Sequence, residues 1–150
     1  MKIKVKLNDN KTYEHNVNLQ HDENDNYYEM NCLNSNNEKM GYVTFKVDST
    51  GFCSRKIWIY KIKTKEQFAH SGVGTALIYA LEYFACKNNI SYIEGKYYPE
   101  NNAAVKFYEK YGYIIDREDY EQYINKYIDK TKVQEKLEKC IVKQSDELCK

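Results

Sequence analysis

Hydrophobic and polar residues alternate along much of the first 64 residues, which is typical of β-strands with one face in water. Residues 2–7 alternate lysine with isoleucine, valine and leucine, and similar segments cover residues 27–33, 39–48 and 55–64. Turn-forming residues separate the last three segments, so the pattern predicts an antiparallel meander. Residues 8–26 are rich in Asn and acidic residues, and we expect a mobile polar connection there without helical periodicity.

The period changes in the second half of the chain. Residues 75–87 carry an apolar stripe at helical spacing, formed by Ala76, Leu77, Ala80, Leu81, Phe84 and Ala85. A strand is predicted over residues 90–98, and after Pro99 the side chains of Asn101 and Asn102 are candidate N-caps for a helix over residues 103–111. This order of elements predicts a parallel pair of strands joined through a helix, with a crevice where the two strands part.

After Gly112 the pattern is less regular. Residues 113–116 fit a short strand, whereas residues 120–128 combine helical spacing with aromatic and β-branched residues, which favour a strand. From Thr131 onward an amphipathic helix is predicted, with Val133, Leu137, Cys140, Ile141 and Leu148 on its apolar face. We therefore divide the chain into a domain over residues 1–128 and a helical extension over residues 129–150, which would dock on the domain, pair with a partner or cover a groove.

Composition and charge exclude several classes of function. A chain of 150 residues buries enough surface to fold without a metal or disulfide, and its net charge of +1 excludes nucleic-acid binding through bulk basicity. The five cysteines and three histidines lack metal-ligand spacing, so we expect no metal site. No segment has the apolar length of a membrane span, and we expect a cytoplasmic protein.

The junction between the two halves carries the first chemical signal. The predicted strand over residues 55–64 leads through a short loop into the helix, and that loop contains Gly72 and Gly74. A helix N-terminus offers unpaired N–H groups, and glycines would let a pyrophosphate approach the backbone. Glycines that serve only a tight turn are an equally good explanation of the loop taken alone.

A second motif decides between these explanations. It runs over residues 101–113 and contains Asn101, Ala104, Phe107, Tyr108, Gly112 and Tyr113. In this spacing, and with the glycine loop upstream, the chain resembles the GNAT superfamily of acyl-CoA-dependent N-acyltransferases over about residues 55–114. The resemblance implies an α+β, three-layer fold with a mixed central sheet, an antiparallel N-terminal meander and two helices that flank a parallel strand pair. Ala69 stands where the family has Arg or Gln, which removes one side-chain contact to the cofactor.

The resemblance also assigns roles to individual residues. Acetyl-CoA would be the co-substrate, with Ile62 and Thr64 pairing through their backbone with its pantetheine arm and Tyr108 protonating the departing thiolate. The pyrophosphate would lie on the loop formed by Ala69, His70, Ser71, Gly72, Val73, Gly74 and Thr75, and Asn101, Ala104 and Phe107 complete the cofactor-binding set. The acceptor would be the primary amine of a small molecule, peptide or protein, attacking directly in a ternary complex.

The general base is not fixed by the resemblance. Some relatives have a Glu five residues before the motif Asn, and Lys96 stands at that place here. Glu94 lies on the same strand face and is our candidate catalytic base, whereas Glu100 next to the motif, or an amine that arrives neutral, remain open. Both carboxylates would otherwise be ordinary solvated side chains.

Two functions from different classes follow. The first is an active N-acetyltransferase, with a homodimer as one possible assembly. The second is a catalytically inactive binding module that keeps the fold and works through its C-terminal helix. The complete motif over residues 101–113 favours the first, whereas Ala69, Lys96 and the lack of helices between the first two predicted strands favour the second.

Overall fold

The computed structural model describes residues 1–49, 55–116 and 122–142. Within these ranges the chain forms nine strands, three α-helices and one 3-10 turn at Glu66–Phe68. The strands are β1 (Lys2–Lys6), β2 (Thr12–Asp22), β3 (Tyr27–Leu33), β4 (Lys39–Asp48), β5 (Lys56–Thr64), β6 (Tyr92–Lys96), β7 (Ile114–Ile115), β8 (Tyr123–Tyr127) and β9 (Ile141–Val142). The helices are α1 (Val73–Lys87), α2 (Asn102–Lys110) and α3 (Lys130–Glu138).

All nine strands join one mixed sheet in the order β7-β8-β6-β5-β4-β3-β2-β1-β9. Strands β1 to β5 form an antiparallel meander, and β5 pairs in parallel with β6 through the α1 crossover. Strand β8 then pairs antiparallel with both β6 and β7. The predicted α+β class, the meander and the parallel pair are therefore confirmed.

The predicted polar connection over residues 8–26 is wrong. Its centre forms β2, an eleven-residue strand between β1 and β3, and only residues 8–11 and 23–26 form turns. His15 and Val17 are the buried side chains of this strand; Tyr13 is partly buried and the others are exposed. Two neighbouring strands satisfy its backbone, and this tertiary pairing overrides the turn preference of its asparagines.

The helices lie on one face of the sheet. α1 packs on β1 to β5, α3 packs on α1, and Phe107 of α2 contacts α1 at Gly74. The chain crosses from β6 to β7 in the same direction along the sheet as from β5 to β6. Because both crossovers are right-handed, α2 lies on the same side of the sheet as α1. Among the described residues, all three helices therefore lie on the same face of the sheet.

The core lies between this helical face and the sheet. Phe45 on β4, Tyr28 on β3 and Phe84 on α1 form an aromatic contact with ring centroids 5.1–5.3 Å apart. The completely buried side chains Ile3, Ile57, Ile93 and Ile124 extend this core across the sheet. None of the described helices is long and apolar enough to cross a membrane.

The C-terminal helix is shorter than predicted. α3 ends at Glu138, and Ile141–Val142 forms β9 against β1, so Cys140 and Ile141 do not continue the helix. Leu148 lies outside the described residues. α3 buries Val133 and Leu137, and Lys4 N donates to Cys140 O at 2.6 Å, which fastens this segment to the sheet. The domain division at residue 128 stays a prediction.

Two strand predictions beyond Gly112 are confirmed by β7 and β8, although residues 120–121 lie outside the described part of the chain. More important for function is the separation of β5 from β6. Their last paired residues are Ile59 and Gly95, and β5 continues to Thr64 with its second edge open among the described residues. The register between β4 and β5 shifts at Thr44 and Phe45, which skips Tyr60 and bends β5 at this point.

Candidate active site

A groove of about 600 Å³ opens between the end of β5 and the start of α1. Three parts of the chain form its walls: the β1–β2 turn, the segment from the end of β5 into α1, and one face of α2. The lining residues are Leu7, Asn8, Asp9, Thr64, Ala69, His70, Gly72, Val73, Gly74, Thr75, Ala103, Phe107, Lys110 and Tyr111. The structure thus brings together six of the seven residues of the predicted phosphate loop.

The start of α1 is suited to bind an anion. Gly72 is the N-cap in a left-handed conformation (φ 81°), and no side chain caps the helix. Ala76 N donates to Gly72 O at 2.9 Å, which begins the helical hydrogen bonds and leaves the N–H groups of the first turn for a ligand. No acidic residue occurs in this turn, so the positive end of the helix dipole is not neutralised there.

The missing side chains of the two glycines make room for neighbouring elements. A Cβ at Gly72 would lie 2.9 Å from Val5 Cγ1, and one at Gly74 would lie 3.1 Å from Phe107 Cε2. The glycines therefore allow β1 and α2 to pack closely, and the approach of a pyrophosphate to this backbone stays a prediction. The close approach of these elements forms the groove walls, so the glycines shape the site indirectly.

We expect Gly72→Ala to reduce the free energy of unfolding by about 2–4 kcal/mol, because it combines a positive φ with a contact at 2.9 Å. Gly112→Ala is the matched control. Gly112 has φ 83° but its nearest neighbour, the end of the Lys126 side chain, is 3.7 Å away. Urea unfolding of both variants separates backbone strain, which they share, from the Val5 contact, and equal losses would show that this contact is unimportant.

Two hydrogen bonds hold the loop before α1. Ser71 Oγ donates to Phe68 O at 2.5 Å, and Ser71 O lies 2.6 Å from His15 Nε2 on β2. His70 in the same loop has φ 63°, a left-handed conformation that is uncommon for a residue with a side chain. His15 therefore anchors the loop, although it is far from the loop in sequence.

The open edge of β5 continues this groove. Ile62 and Thr64 pair with Val43 and Gly41 of β4 on their other side, so only the edge towards β6 is free within the described residues. Gly41 is essential for this geometry, because a Cβ there would lie 2.6 Å from Lys63 O and 2.7 Å from Val73 Cγ1. β4 thereby holds β5 and the first residue of α1 close together.

Helix α2 forms the opposite wall. Asn101 is its N-cap, with Oδ1 accepting from Ala104 N at 3.1 Å, so its predicted cap role is confirmed. Ala104 and Phe107 are half-buried against the core. Ala103, Phe107 and Lys110 line the groove at helical spacing. Sequence reasoning missed Lys110, although its spacing from Phe107 could have revealed it.

Tyr108 on α2 is buried, with ring centroids 5.6 Å from Phe107 and 5.5 Å from Tyr113. Burial raises the pKa of its phenol well above the usual value, so the group stays protonated at neutral pH. Three other buried tyrosines, Tyr97, Tyr111 and Tyr113, use their hydroxyls in hydrogen bonds within the protein. Tyr108 makes no such bond with the residues that the structure describes, which leaves its proton available.

The candidate base lies elsewhere. Glu94 is on the sheet face away from the helices, where Lys56 Nζ lies 2.5 Å from its Oε1. It lines a second cavity of about 380 Å³ together with Lys46, Asp48, Lys56, Trp58 and Tyr123. Tyr108 belongs to the helical face, so the two predicted catalytic side chains lie on opposite faces of the sheet. Glu100 is exposed in the turn before α2.

The sequence profile of the Acetyltransferase (GNAT) family matches residues 5–113. The chain belongs to the GNAT acetyltransferase family. Its match begins in β1 and ends directly after α2, so it includes all three parts of the chain that form the groove. No curated protein matches the chain.

Solved GNAT structures share the fold. The PaiA N-acetyltransferase of Thermoplasma acidophilum, in complex with coenzyme A, is 16% identical with a TM-score of 0.60 over 68% of this chain and 61% of its own. NAA60 of Arabidopsis thaliana, bound to a bisubstrate analogue, is 14% identical (TM-score 0.59, 69% and 77% covered). Tetrahymena GCN5 is 18% identical (TM-score 0.58, 70% of each chain). The match spans less than two thirds of the PaiA chain.

Proposed function

We propose that this GNAT protein is an N-acetyltransferase that transfers an acetyl group from acetyl-CoA to a primary amine within a ternary complex. The observation that carries the proposal is the groove itself, which lies between an uncapped helix N-terminus and Thr64 at the open edge of β5. Tyr108 follows the lining residue Phe107 on α2, but it is buried and is not itself one of the lining residues. Family membership supports the reaction class, and the coenzyme A complex of PaiA supports the choice of donor.

The donor would lie along the groove from α1 to β5. The first-turn N–H groups of α1, within the segment from Ala69 to Thr75, would bind the pyrophosphate, and Lys110 would add a positive charge from the facing wall. The backbone of Ile62 and Thr64 would pair with the pantetheine arm as a further strand does. Asn101, Ala104 and Phe107 would enclose this arm from α2.

Acetyl-CoA supplies an activated thioester carbonyl. As the amine forms its bond to this carbon and the carbon–sulfur bond breaks, Tyr108 would donate its phenolic proton to the departing thiolate. The resulting phenolate would regain a proton from solvent, and the nitrogen of the new amide would pass its surplus proton through water to the proposed base. Hydrogen bonding to a developing negative charge in a water-poor site stabilises the transition state, which is the advantage of a buried phenol here.

Glu94 is the proposed proton acceptor for the incoming amine. Its carboxylate lies on β6, one residue before Gly95, where β6 parts from β5. The acceptor would approach from the sheet face opposite the helices. From that face it would reach the point where β5 and β6 separate. Glu94 lies on the opposite face of the sheet from Tyr108 and is paired with Lys56, and we propose that its carboxylate acts on the amine through a water molecule.

The second function, an inactive module that works through its C-terminal helix, has no specific observation in its favour. The helix is only nine residues long, and its apolar residues Val133 and Leu137 are buried in this chain. An apolar surface that is already used internally is unsuited to recruit a partner.

Titration calorimetry with acetyl-CoA tests the proposal. We expect micromolar binding to the purified, CoA-free protein and a loss of about fivefold to tenfold in affinity for Lys110→Glu, because a reversed charge would then face the phosphates. Lys106→Glu is the matched control, since Lys106 is an exposed lysine of the same helix that does not line the groove. Absence of binding to the unaltered protein would overturn the proposed function.

A further inference from the structure

His15 is a buried histidine on β2, directly opposite Ile3 of β1, and only 4% of its surface is exposed. It belongs to neither of the sequence motifs and lies 56 residues before the loop that it contacts. A polar side chain in such a position needs a hydrogen-bond partner, because burial of an unpaired polar group is costly. Its Nε2 has this partner in Ser71 O, at 2.6 Å.

This contact determines the tautomer of the ring. A carbonyl oxygen can only accept, so Nε2 carries the hydrogen and donates it to Ser71 O. Nδ1 is buried and has no partner among the described residues. His15 therefore makes one side-chain hydrogen bond, as a donor, and that bond ends on the backbone of the loop before α1.

The direction of this bond has a consequence for the groove. Ser71 O and Gly72 N–H belong to one peptide unit, and the described peptide bonds are all trans. In a trans peptide the C=O and N–H groups point in opposite directions. Because His15 holds the Ser71 carbonyl towards β2, the N–H of Gly72 points away from the sheet. Gly72 is the N-cap of α1 and one of the residues that line the groove.

A second contact supports the same orientation. Ser71 Oγ donates to Phe68 O at 2.5 Å, so the side chain of Ser71 closes the turn on one side while His15 holds its carbonyl on the other. The neighbouring residues His70 and Gly72 both have positive φ. Such a backbone persists only when surrounding contacts fix it, and His15 provides the contact from outside the loop.

We propose that His15 is a positioning residue for the acyl donor: its Nε2–H holds the Ser71–Gly72 peptide so that the Gly72 N–H faces the donor's pyrophosphate. This inference rests on the proposed function, because it assigns the phosphate end of the same groove. His15 touches no reacting atom and no part of the donor. Its effect is therefore expected on the binding of donors that carry phosphates, and not on donors without them.

The test compares His15→Met with His15→Gln in binding acetyl-CoA and S-acetyl-pantetheine, which lacks the phosphates. Met and Gln have similar length and flexibility, but only Gln can donate a hydrogen bond to Ser71 O. Without this bond the Ser71–Gly72 peptide must be oriented when the donor binds, and a cost equal to one hydrogen bond corresponds to about fivefold to tenfold in affinity. We therefore expect His15→Met to raise the Kd of acetyl-CoA by this factor, and His15→Gln to restore it to within about threefold of the unaltered protein.

For S-acetyl-pantetheine, we expect all three proteins to have the same Kd within about twofold. An equal loss of both donors in His15→Met would mean that His15 only supports the fold, and an unchanged Kd for acetyl-CoA would also overturn the inference. His15→Asn, whose amide is too short to reach Ser71 O, is expected to behave as His15→Met and replaces it if the Met variant does not fold. Failure of the unaltered protein to bind acetyl-CoA would instead reject the proposed function.

Discussion

Replacement of Tyr108 by Phe is expected to lower kcat by about tenfold or more while the Kd of acetyl-CoA changes by less than about twofold. The substitution removes one oxygen atom and keeps the ring, which packs between Phe107 and Tyr113. Because the hydroxyl makes no hydrogen bond with the described residues, its loss leaves no unpaired partner in the protein. The expected defect therefore lies in the reaction and not in folding or donor binding.

The hydroxyl proton of Tyr108 gives this prediction its physical basis. A buried phenol remains neutral across the physiological pH range, so it can give its proton to a thiolate at the moment when the thiolate leaves. A phenylalanine cannot donate, and the thiolate would then leave as an unprotonated anion in a poorly hydrated site. The cost falls on the transition state, which lowers kcat more than it alters binding.

Tyr97→Phe is the matched control. Tyr97 is also buried, but its hydroxyl donates to Asp116 O at 3.2 Å, so its loss should reduce stability and leave kcat within about twofold. Both variants are compared at saturating acetyl-CoA with an amine acceptor found by screening. A Tyr108→Phe enzyme with unchanged kcat would reject the role of Tyr108 in proton transfer.

The features that sequence reasoning recovered depend on local rules. The cap of α2 is an example, because an Asn followed by a helix-forming segment predicts the bond from Ala104 N to Asn101 Oδ1 that the structure contains. The parallel pair of β5 and β6 is similarly local, since a strand, a crossover helix and a second strand follow one another directly. Such features require no knowledge of distant residues.

The features that were missed depend on distant residues. In β2, polar residues alternate with Tyr13, His15, Val17 and Leu19. The neighbouring asparagines and acidic residues obscured this alternation in the sequence. Pairing with β1 and β3 makes the segment a strand. The C-terminal helix was overextended for a related reason. Its apolar periodicity continues past Glu138, whereas β1 offers an edge on which Ile141–Val142 pairs as a strand.

The candidate site divides in the same way. The loop and the α2 motif are adjacent in sequence to the elements that they begin, so both could be found by inspection. The contact of His15 with Ser71 joins two segments that no local pattern relates. Val5 and Phe107, which occupy the space that side chains at Gly72 and Gly74 would need, are also distant from these glycines in sequence. Sequence reasoning could identify the groove but not the packing that supports it.

Lys126→Met is expected to lower the free energy of unfolding by about 3 kcal/mol, because it leaves a buried carboxylate without its partner. Glu82 on α1 is only 3% exposed, and Lys126 Nζ on β8 lies 2.6 Å from its Oε1. The same ammonium donates to Tyr111 O at 2.7 Å, and Tyr113 Oη donates to Glu82 Oε1 at 3.4 Å. One lysine therefore connects α1, β8 and the segment that follows α2.

The double variant Glu82→Leu with Lys126→Met separates two sources of this loss of stability: the unpaired carboxylate of Glu82 and the missing contacts of Lys126. If most of it comes from the unpaired carboxylate, removal of both charges should restore a large part of the stability, since an apolar pair avoids the desolvation cost. Lys2→Met is the surface control. Lys2 and Glu14 are 3.8 Å apart, and their side chains are 38% and 46% exposed. We therefore expect this variant to lose less than about 1 kcal/mol of unfolding free energy. Urea unfolding provides all three values.

A loss in Lys126→Met no larger than that in Lys2→Met would contradict the prediction. The expected result also bears on the candidate active site. Tyr113 contacts the ring of Tyr108, and the hydrogen bond from Tyr113 Oη to Glu82 helps to orient Tyr113. The folded Lys126→Met enzyme should then lose kcat as well as stability, whereas the surface variant loses neither. Glu82 and Lys126 thus link the stability of the fold to the position of the tyrosine that we propose as the proton donor.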